Sequence, residues 1–420
     1  MLNVTSSYAN REKYVIHPEK SPILMKIPPK RSNITTLDWK LGDKEVSVSK
    51  TTTHLGIIRS VKNEMTINIE DRISCARKTL YSLTGTGFHG TNGLPPTTCM
   101  KLFMTYVLPR LLYGLETFVL KQYHLDALEK FYINFLRKIQ CLPNKSVKGI
   151  TYLLLGVRPA TAELHIRQLN LLGSIIRSEN LTLNQILKRQ ISTQSETSDS
   201  WFTYIDKLLV QYDPPSTAKL VKNPPCKLSW KKNVKLAIDK FWTQKLLLDC
   251  QNKSTLSYCD LTSLKIGTVH KLWSSIESNI KDVHRGGIKA RLITGTYVLQ
   301  SNRSKFNQHE VSSVCPICQY EDEDIVHFIL KCNALFKYRK SYIEELKLII
   351  NSISNPNACS WKRLVGDNCL LTQLILDPGV LVKQNILSCS EKTLTKIEDC
   401  SRKLSFSLHC GKTLIINSEH

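Results

Sequence analysis

The feature that most constrains this chain is a set of four residues, Cys315, Cys318, His327 and Cys332, spaced Cys-x2-Cys-x8-His-x4-Cys. A Cys-x-x-Cys turn presents two thiolates to one side of a metal, and a later His and Cys complete a tetrahedron. The spacing predicts one zinc ion with four protein ligands and no open position for substrate. Such a metal holds structure rather than activating water, and in small domains its binding free energy, roughly 10–16 kcal/mol, is the folding free energy. The acidic run between the two halves is expected to be hydrated. The other cysteines among the 14, from Cys75 to Cys410, are scattered without a second Cys-x-x-Cys pair, as buried free thiols commonly are.

Lys and Arg outnumber Asp and Glu by 58 to 35, a formal net charge of +23. That excess points to polyanionic partners, RNA or DNA first, although ribosomal-type and membrane-surface proteins share the balance. The N-terminal residues lack a basic flank followed by an apolar run, so no secretory signal is read there. No apolar stretch approaches the ~20 residues needed to cross a bilayer. The expected setting is therefore intracellular, nuclear or cytoplasmic, with reduced cysteines and no membrane partner.

The patterning predicts a mainly α fold with a small β-containing N-terminal segment, an α+β arrangement. Residues 1–60 hold β-prone pieces at Lys13–Ile16, Ser21–Met25 and Val46–Val48, and His54-Leu-Gly-Ile-Ile58 reads as a closing hairpin. From Asn63 the period becomes helical, with Ile67, Ile69, Ile73, Ala76, Leu80 and Leu83 approximating one face. Residues 61–178 read as a helical bundle, including Leu125 to Ile139 and Thr161 to Ser178. A Ser/Thr/Asn/Gln-rich stretch and the helix stops Asp213-Pro-Pro215 and Asn223-Pro-Pro225 suggest a linker at 179–230. A basic helical region, 231–311, follows, with helix at Val234–Leu246 and around His270–Ile280. The knuckle occupies 312–334 and a helical tail 335–420, with its clearest helix at Tyr338–Ile350.

Two basic stretches are candidates for phosphate contact. Between Lys219 and Lys245 stand eight lysines and one acid, Asp239, interleaved with Trp230, Phe241 and Trp242. Cations neutralise phosphate and aromatics can stack on bases, but the spacing of Phe241 and Trp242 fits a buried stripe better. Lys231, Lys232 and Lys235 are the candidates there. From Val283 to His309 there is no acid, and Arg285, Lys289, Arg291, Arg303 and Lys305 lead directly into the knuckle. Gly286, Gly287 and Gly295 would permit close approach of a phosphate chain, or equally mark helix ends.

With these residues in view, the chain resembles the C-terminal part of the reverse transcriptase of non-LTR (LINE-type) retrotransposons. The resemblance is carried by Tyr14-Val-Ile-His-Pro-Glu-Lys20-Ser, His54-Leu-Gly-Ile57, Val107-Leu-Pro-Arg-Leu-Leu-Tyr-Gly-Leu-Glu116, Leu128-Glu-Lys-Phe131 with Leu136-Arg-Lys138, Arg291-Leu-Ile-Thr-Gly-Thr296 and the knuckle itself, in that order. It implies the end of a polymerase palm at 1–60, with Lys20 matching the lysine of the late palm motif. A helical thumb at 61–178, a basic linker and a Cys-Cys-His-Cys knuckle binding RNA or DNA would follow.

The departures imply a loss of catalysis. The family's polymerase uses palm aspartates, including an Asp-Asp pair, to hold two divalent metals. No Asp-Asp pair is present, and in Tyr8-Ala-Asn-Arg11 an amide and a guanidinium stand where carboxylates would be needed. The chain therefore reads as starting after the catalytic core, with no catalytic residues of its own. A nuclease is not expected either, since Asp367 and Asp377 are isolated and Leu376-Asp377-Pro378 reverses the Pro-Asp order such sites use. The leading expectation is a non-catalytic, zinc-containing, nucleic-acid-binding fragment. The alternatives are a piece of an active RNA-directed DNA polymerase that joins a separate palm-containing chain, and a zinc-dependent protein-interaction module.

Overall fold

In a computed structural model, residues 2–17, 20–25, 39–193, 195, 197–305, 310–353 and 360–418 are described. They form a mainly helical protein with two small hairpins near the start. The chain opens with a helix, α1 (Leu2–Arg11), rather than a strand. The pairs β1 (Lys40–Leu41) with β2 (Lys44–Glu45), and β3 (Thr51–His54) with β4 (Ile57–Ser60), are both antiparallel. Of the other β-prone pieces, Ile23 and Val48 meet in a single parallel bridge, while Lys13–Ile16 joins no strand.

The expected hairpin at His54–Ile58 is present. His54 pairs with Ile57, so only Leu55 and Gly56 turn the chain, with φ of 50° and 75°. Two successive positive φ values define the tight turn whose twist matches that of the flanking strands. The hairpin is pinned to α2 (Glu64–Gly85) by the Asn68 amide, which accepts from Ile58 N at 3.0 Å and donates to Ile58 O at 2.7 Å.

Behind α2 lie α3 (Pro96–Leu102), α4 (Leu108–Leu111), α5 (Gln122–Ile139), α6 (Lys148–Leu153) and α7 (Ala160–Ile176). The stripe Leu125, Leu128, Tyr132, Leu136 and Ile139 turns α5 inward, and Phe103 stacks on Tyr132 and Phe135 at 5.0 and 4.3 Å between ring centres.

The stretch 179–230 is not a bare linker. It folds as α8 (Leu181–Thr193), α9 (Trp201–Tyr212) and α10 (Thr217–Lys222). Phe202, Ile205, Leu208, Leu209 and Tyr212 are buried, and the Trp201 indole donates to Glu116 O at 2.9 Å. The polar residues that suggested a linker serve partly as caps: Ser200 Oγ accepts from Thr203 N at 3.1 Å. Pro214 and Pro215 separate α9 from α10 without releasing either from the core.

The long helix α11 (Lys227–Gln251) crosses α6 and α7 at two glycines. A Cβ on Gly149 would lie 2.4 Å from Leu246 O, and one on Gly173 would lie 2.4 Å from Trp230 Nε1. Trp230 is buried and donates to Leu169 O at 2.9 Å, and Trp242 donates to Tyr212 Oη at 3.0 Å. Both indoles therefore belong to the core.

Between His270 and Ile280 only a short turn forms, α12 (Lys271–Ser274). The chain then restarts at α13 (Ile280–Ile293), where Asn279 caps by accepting from Asp282 N at 2.7 Å. After α14 (Gln300–Lys305) and the knuckle come α15 (Phe336–Asn351), α16 (Trp361–Val365), α17 (Asn368–Leu376), α18 (Pro378–Lys383) and α19 (Glu391–Ser418). Helix α19 packs on both α13 and α15, and that three-helix layer seats the knuckle. No helix among the described residues is long and apolar enough to cross a membrane.

Candidate metal centre

The knuckle is built by backbone pairing before any ligand is considered. Val314 and Asp322 form an antiparallel bridge, Cys315 N donates to Glu321 O at 2.8 Å, and Glu323 N donates to Ser313 O at 2.8 Å. Within this loop Gln319 N donates to Cys315 O at 3.0 Å, and Gln319 takes a φ of 57°. That turn brings Cys318 back over Cys315. Asp324 then starts a π-helical turn, His327–Lys331, by accepting from His327 N at 2.7 Å through its carboxylate. Cys332 N closes the turn on His327 O at 2.9 Å, and the buried Arg339 guanidinium donates to Cys332 O.

One ligand atom from each of Cys315, Cys318, His327 and Cys332 lies within 4.8 Å of all the others. About a four-coordinate metal with metal–sulfur bonds near 2.3 Å, a tetrahedron has sulfur–sulfur edges of about 3.8 Å. The group can therefore hold one metal ion with little contraction. Cys315 and Cys332 are each 1% exposed and His327 4% exposed, so water reaches the cluster only from the Cys318 side. A hydrogen bond from the Cys332 thiol pulls the Cys315 thiol below its ordinary value against its desolvation, and the same pairing pushes Cys332 upward.

His327 is held for ligation. Its Nε2 lies 3.3 Å from Cys318 Sγ, while Nδ1 faces Glu321 Oε2 at 3.2 Å. A carboxylate on Nδ1 keeps the proton there and leaves the Nε2 lone pair toward the metal position, the usual supporting arrangement around a ligating histidine. Spacing alone did not single out Glu321, although the acidic run between the ligand pairs was its signal. Nor is that run uniformly hydrated. Glu323 is 1% exposed, accepts from Gln300 N at 2.9 Å, and meets Lys412 of α19 at 2.5 Å.

The knuckle is also less autonomous than a mini-domain. Phe328, Ile329 and Leu335 are fully buried in the core shared with the C-terminal helices. A metal there would tie the 313–323 loop to the α13–α15–α19 layer.

The basic candidates divide by position. Lys231, Lys232 and Lys235 are exposed on α11, and none has an acidic partner among the described residues. Lys289 cannot contact phosphate as expected: it is 0% exposed and its Nζ lies 2.7 Å from the buried Glu398 Oε1. Arg285 is half-buried on α13. Arg291 is also half-buried, with its Nε donating to Cys141 O at 2.6 Å. Arg303 and Lys305 are exposed on α14. Arg291 and Arg303 share a cleft of about 330 Å³ with His409, Lys412 and Pro316, the residue following the first ligand. The glycines serve packing rather than phosphate approach. Gly286 faces Trp273 and Ile276, Gly287 faces Cys141, and Gly295, at φ 61°, abuts Thr255 O.

No protein-family model, curated protein or solved structure matches this chain.

Proposed function

We propose that the protein is a non-catalytic, zinc-stapled nucleic-acid-binding fragment related to the reverse transcriptases of non-LTR retrotransposons. Three sulfurs and one imidazole nitrogen are the donor set that structural zinc takes, and four protein ligands leave no coordination position for substrate. The carrying observation is the adjacency of this closed group to the cleft where Arg291 and Arg303 stand near Pro316, with Lys412 there paired to Glu323. The cationic face of α11 adds a second, outward-facing set of phosphate contacts. Family descent is supported by the ordered motifs, including a tight hairpin at His54–Ile57 docked on the first long helix.

The test is a salt series of fluorescence titrations with RNA and DNA oligonucleotides. Lys231→Glu, Lys232→Glu and Lys235→Glu together remove three phosphate contacts, so the slope of log K against log salt should flatten by about 2–3 units. Absence of binding at low salt in zinc-loaded protein refutes the reading. A protein partner whose affinity ignores these substitutions would favour the interaction-module alternative. Primer extension above a no-protein control would return the chain to the polymerases, alone or with a palm-containing partner.

A further inference from the structure

A groove of about 970 Å³ runs between α2 and α5, far larger than the cleft beside the knuckle. Its α2 wall spans Ile73 to Thr84 and its α5 wall spans Ala127 to Ile139. At 1.5 Å per residue each wall is about 16–18 Å long, three helical turns. The floor is apolar, formed by Ile73, Leu80, Phe131, Phe135 and Ile139, and Tyr81 and Phe88 stand at the edge 64% and 45% exposed. Along the rims Arg77, Lys130 and Lys138 are exposed, no Asp or Glu lines the groove, and none of these three cations has an acidic partner among the described residues.

We infer that this groove binds a three-turn amphipathic helix with acidic flanks, supplied by a partner protein. Two helical walls with apolar side chains at helical spacing, here joined by residues 88–91 and by Val283 and His284 of α13, are the form that receives an amphipathic helix, whose anchors recur every three to four residues. Rim cations on both walls match carboxylates on both flanks of such a helix. A contiguous apolar surface with a polar rim is also the usual mark of an interaction site. A second copy of this chain is a poor occupant, because two molecules of net charge +23 repel. Single-stranded nucleic acid would suit the cations, but bases need free aromatic faces, and in the floor Phe135 is 8% exposed and already stacked on Phe103, beside the aliphatic Ile73, Leu80 and Ile139.

The probe is a fluorescein-labelled synthetic peptide of four turns, with Leu at positions 1, 4, 8 and 11 and Glu on the flanking positions, titrated by anisotropy into the zinc-loaded full chain. Its controls are a scrambled peptide of the same composition and a version with Lys for Glu. The designed peptide should bind at least about tenfold more tightly than either control. The combined variant Arg77→Glu, Lys130→Glu, Lys138→Glu should lose about tenfold, as expected for three rim ion pairs. All three side chains are exposed, and a circular-dichroism melt checks that the variant folds. Equal binding of the scrambled peptide, or indifference to the triple substitution, overturns the inference. So does displacement of the peptide by an oligonucleotide that itself loses affinity in the triple variant. Oligonucleotide binding through α11 is read separately with the Lys231, Lys232 and Lys235 substitutions, so neither result decides the other.

Discussion

Replacing Lys289 with Met should destabilise the protein without touching its affinity for nucleic acid. Lys289 on α13 and Glu398 on α19 are 0% and 1% exposed and approach to 2.7 Å. The approach makes a close ion pair, and neither atom has another hydrogen-bonding partner. Burial pulls the Lys289 ammonium below its ordinary value, and Glu398 opposes that pull. Each charge is therefore tolerated mainly because of the other, with Asp377 adding to the field that favours the Lys289 ammonium. Beside them Arg402 meets Asp282 at 3.3 Å, so a neighbouring pair cannot be borrowed without unpairing its own members. Removing one partner of a buried pair typically costs about 3–5 kcal/mol, because the other charge is left stranded. With both groups enclosed there is no solvent screening to reduce that figure. Lys289→Met should lose this amount in urea unfolding followed by circular dichroism. The double variant Lys289→Met, Glu398→Leu should recover to within about 2 kcal/mol of the parent, since apolar replacement of a whole buried pair is often neutral. The slope of log K against log salt should stay unchanged. A loss below about 1 kcal/mol, or a double variant no better than the single, would refute the assignment. A salt slope flattened by about 0.9 would return Lys289 to the phosphate contacts.

Two further substitutions probe the packing. His165 is buried between Tyr212 Oη at 2.6 Å and Tyr204 Oη at 3.1 Å, and burial, aided by the Lys245 charge, lowers its pKa to about 4. A histidine depressed in the folded state binds fewer protons there than when unfolded, so stability is lost as pH falls from about 6.5 to 4. The loss is about 3 kcal/mol. His165→Gln should lack this component, and parallel acid losses in parent and variant would contradict it. Gly173→Ala places a methyl 2.4 Å from Trp230 Nε1. It should cost about 1–3 kcal/mol and disturb Trp fluorescence, whereas an unchanged melting temperature would show that α7 and α11 can part cheaply.

What could be read from the sequence was mostly local. The candidate metal ligands stood out because Cys315, Cys318, His327 and Cys332 fall within one supersecondary unit, and α2, α5, α7, α11 and α15 followed from their apolar stripes. Helix α19, the long brace of the C-terminal layer, was harder to read. Its buried face mixes Ile397, Leu404 and Leu408 with Glu398, Ser401, Arg402 and Ser405, and polar residues dilute a hydrophobic period. The same distant pairing hid the role of Lys289, which reads as a basic-stretch residue until Glu398 is brought against it. The misread segment at 179–230 has a different cause. Its Ser- and Thr-rich composition dominated, while the apolar stripe of α9 occupies only twelve residues. Glu321 could not be told from its acidic neighbours until folding placed it on His327 Nδ1.

The central claim is that the four-ligand group holds one zinc ion as a structural staple. Metal content by plasma mass spectrometry, measured on the full chain purified under reducing conditions with zinc in the medium, tests it most directly. One zinc per chain, lost in the combined variant Cys318→Ser, His327→Ala, is the predicted result. A parent protein without zinc, or a variant that retains it, would contradict the account.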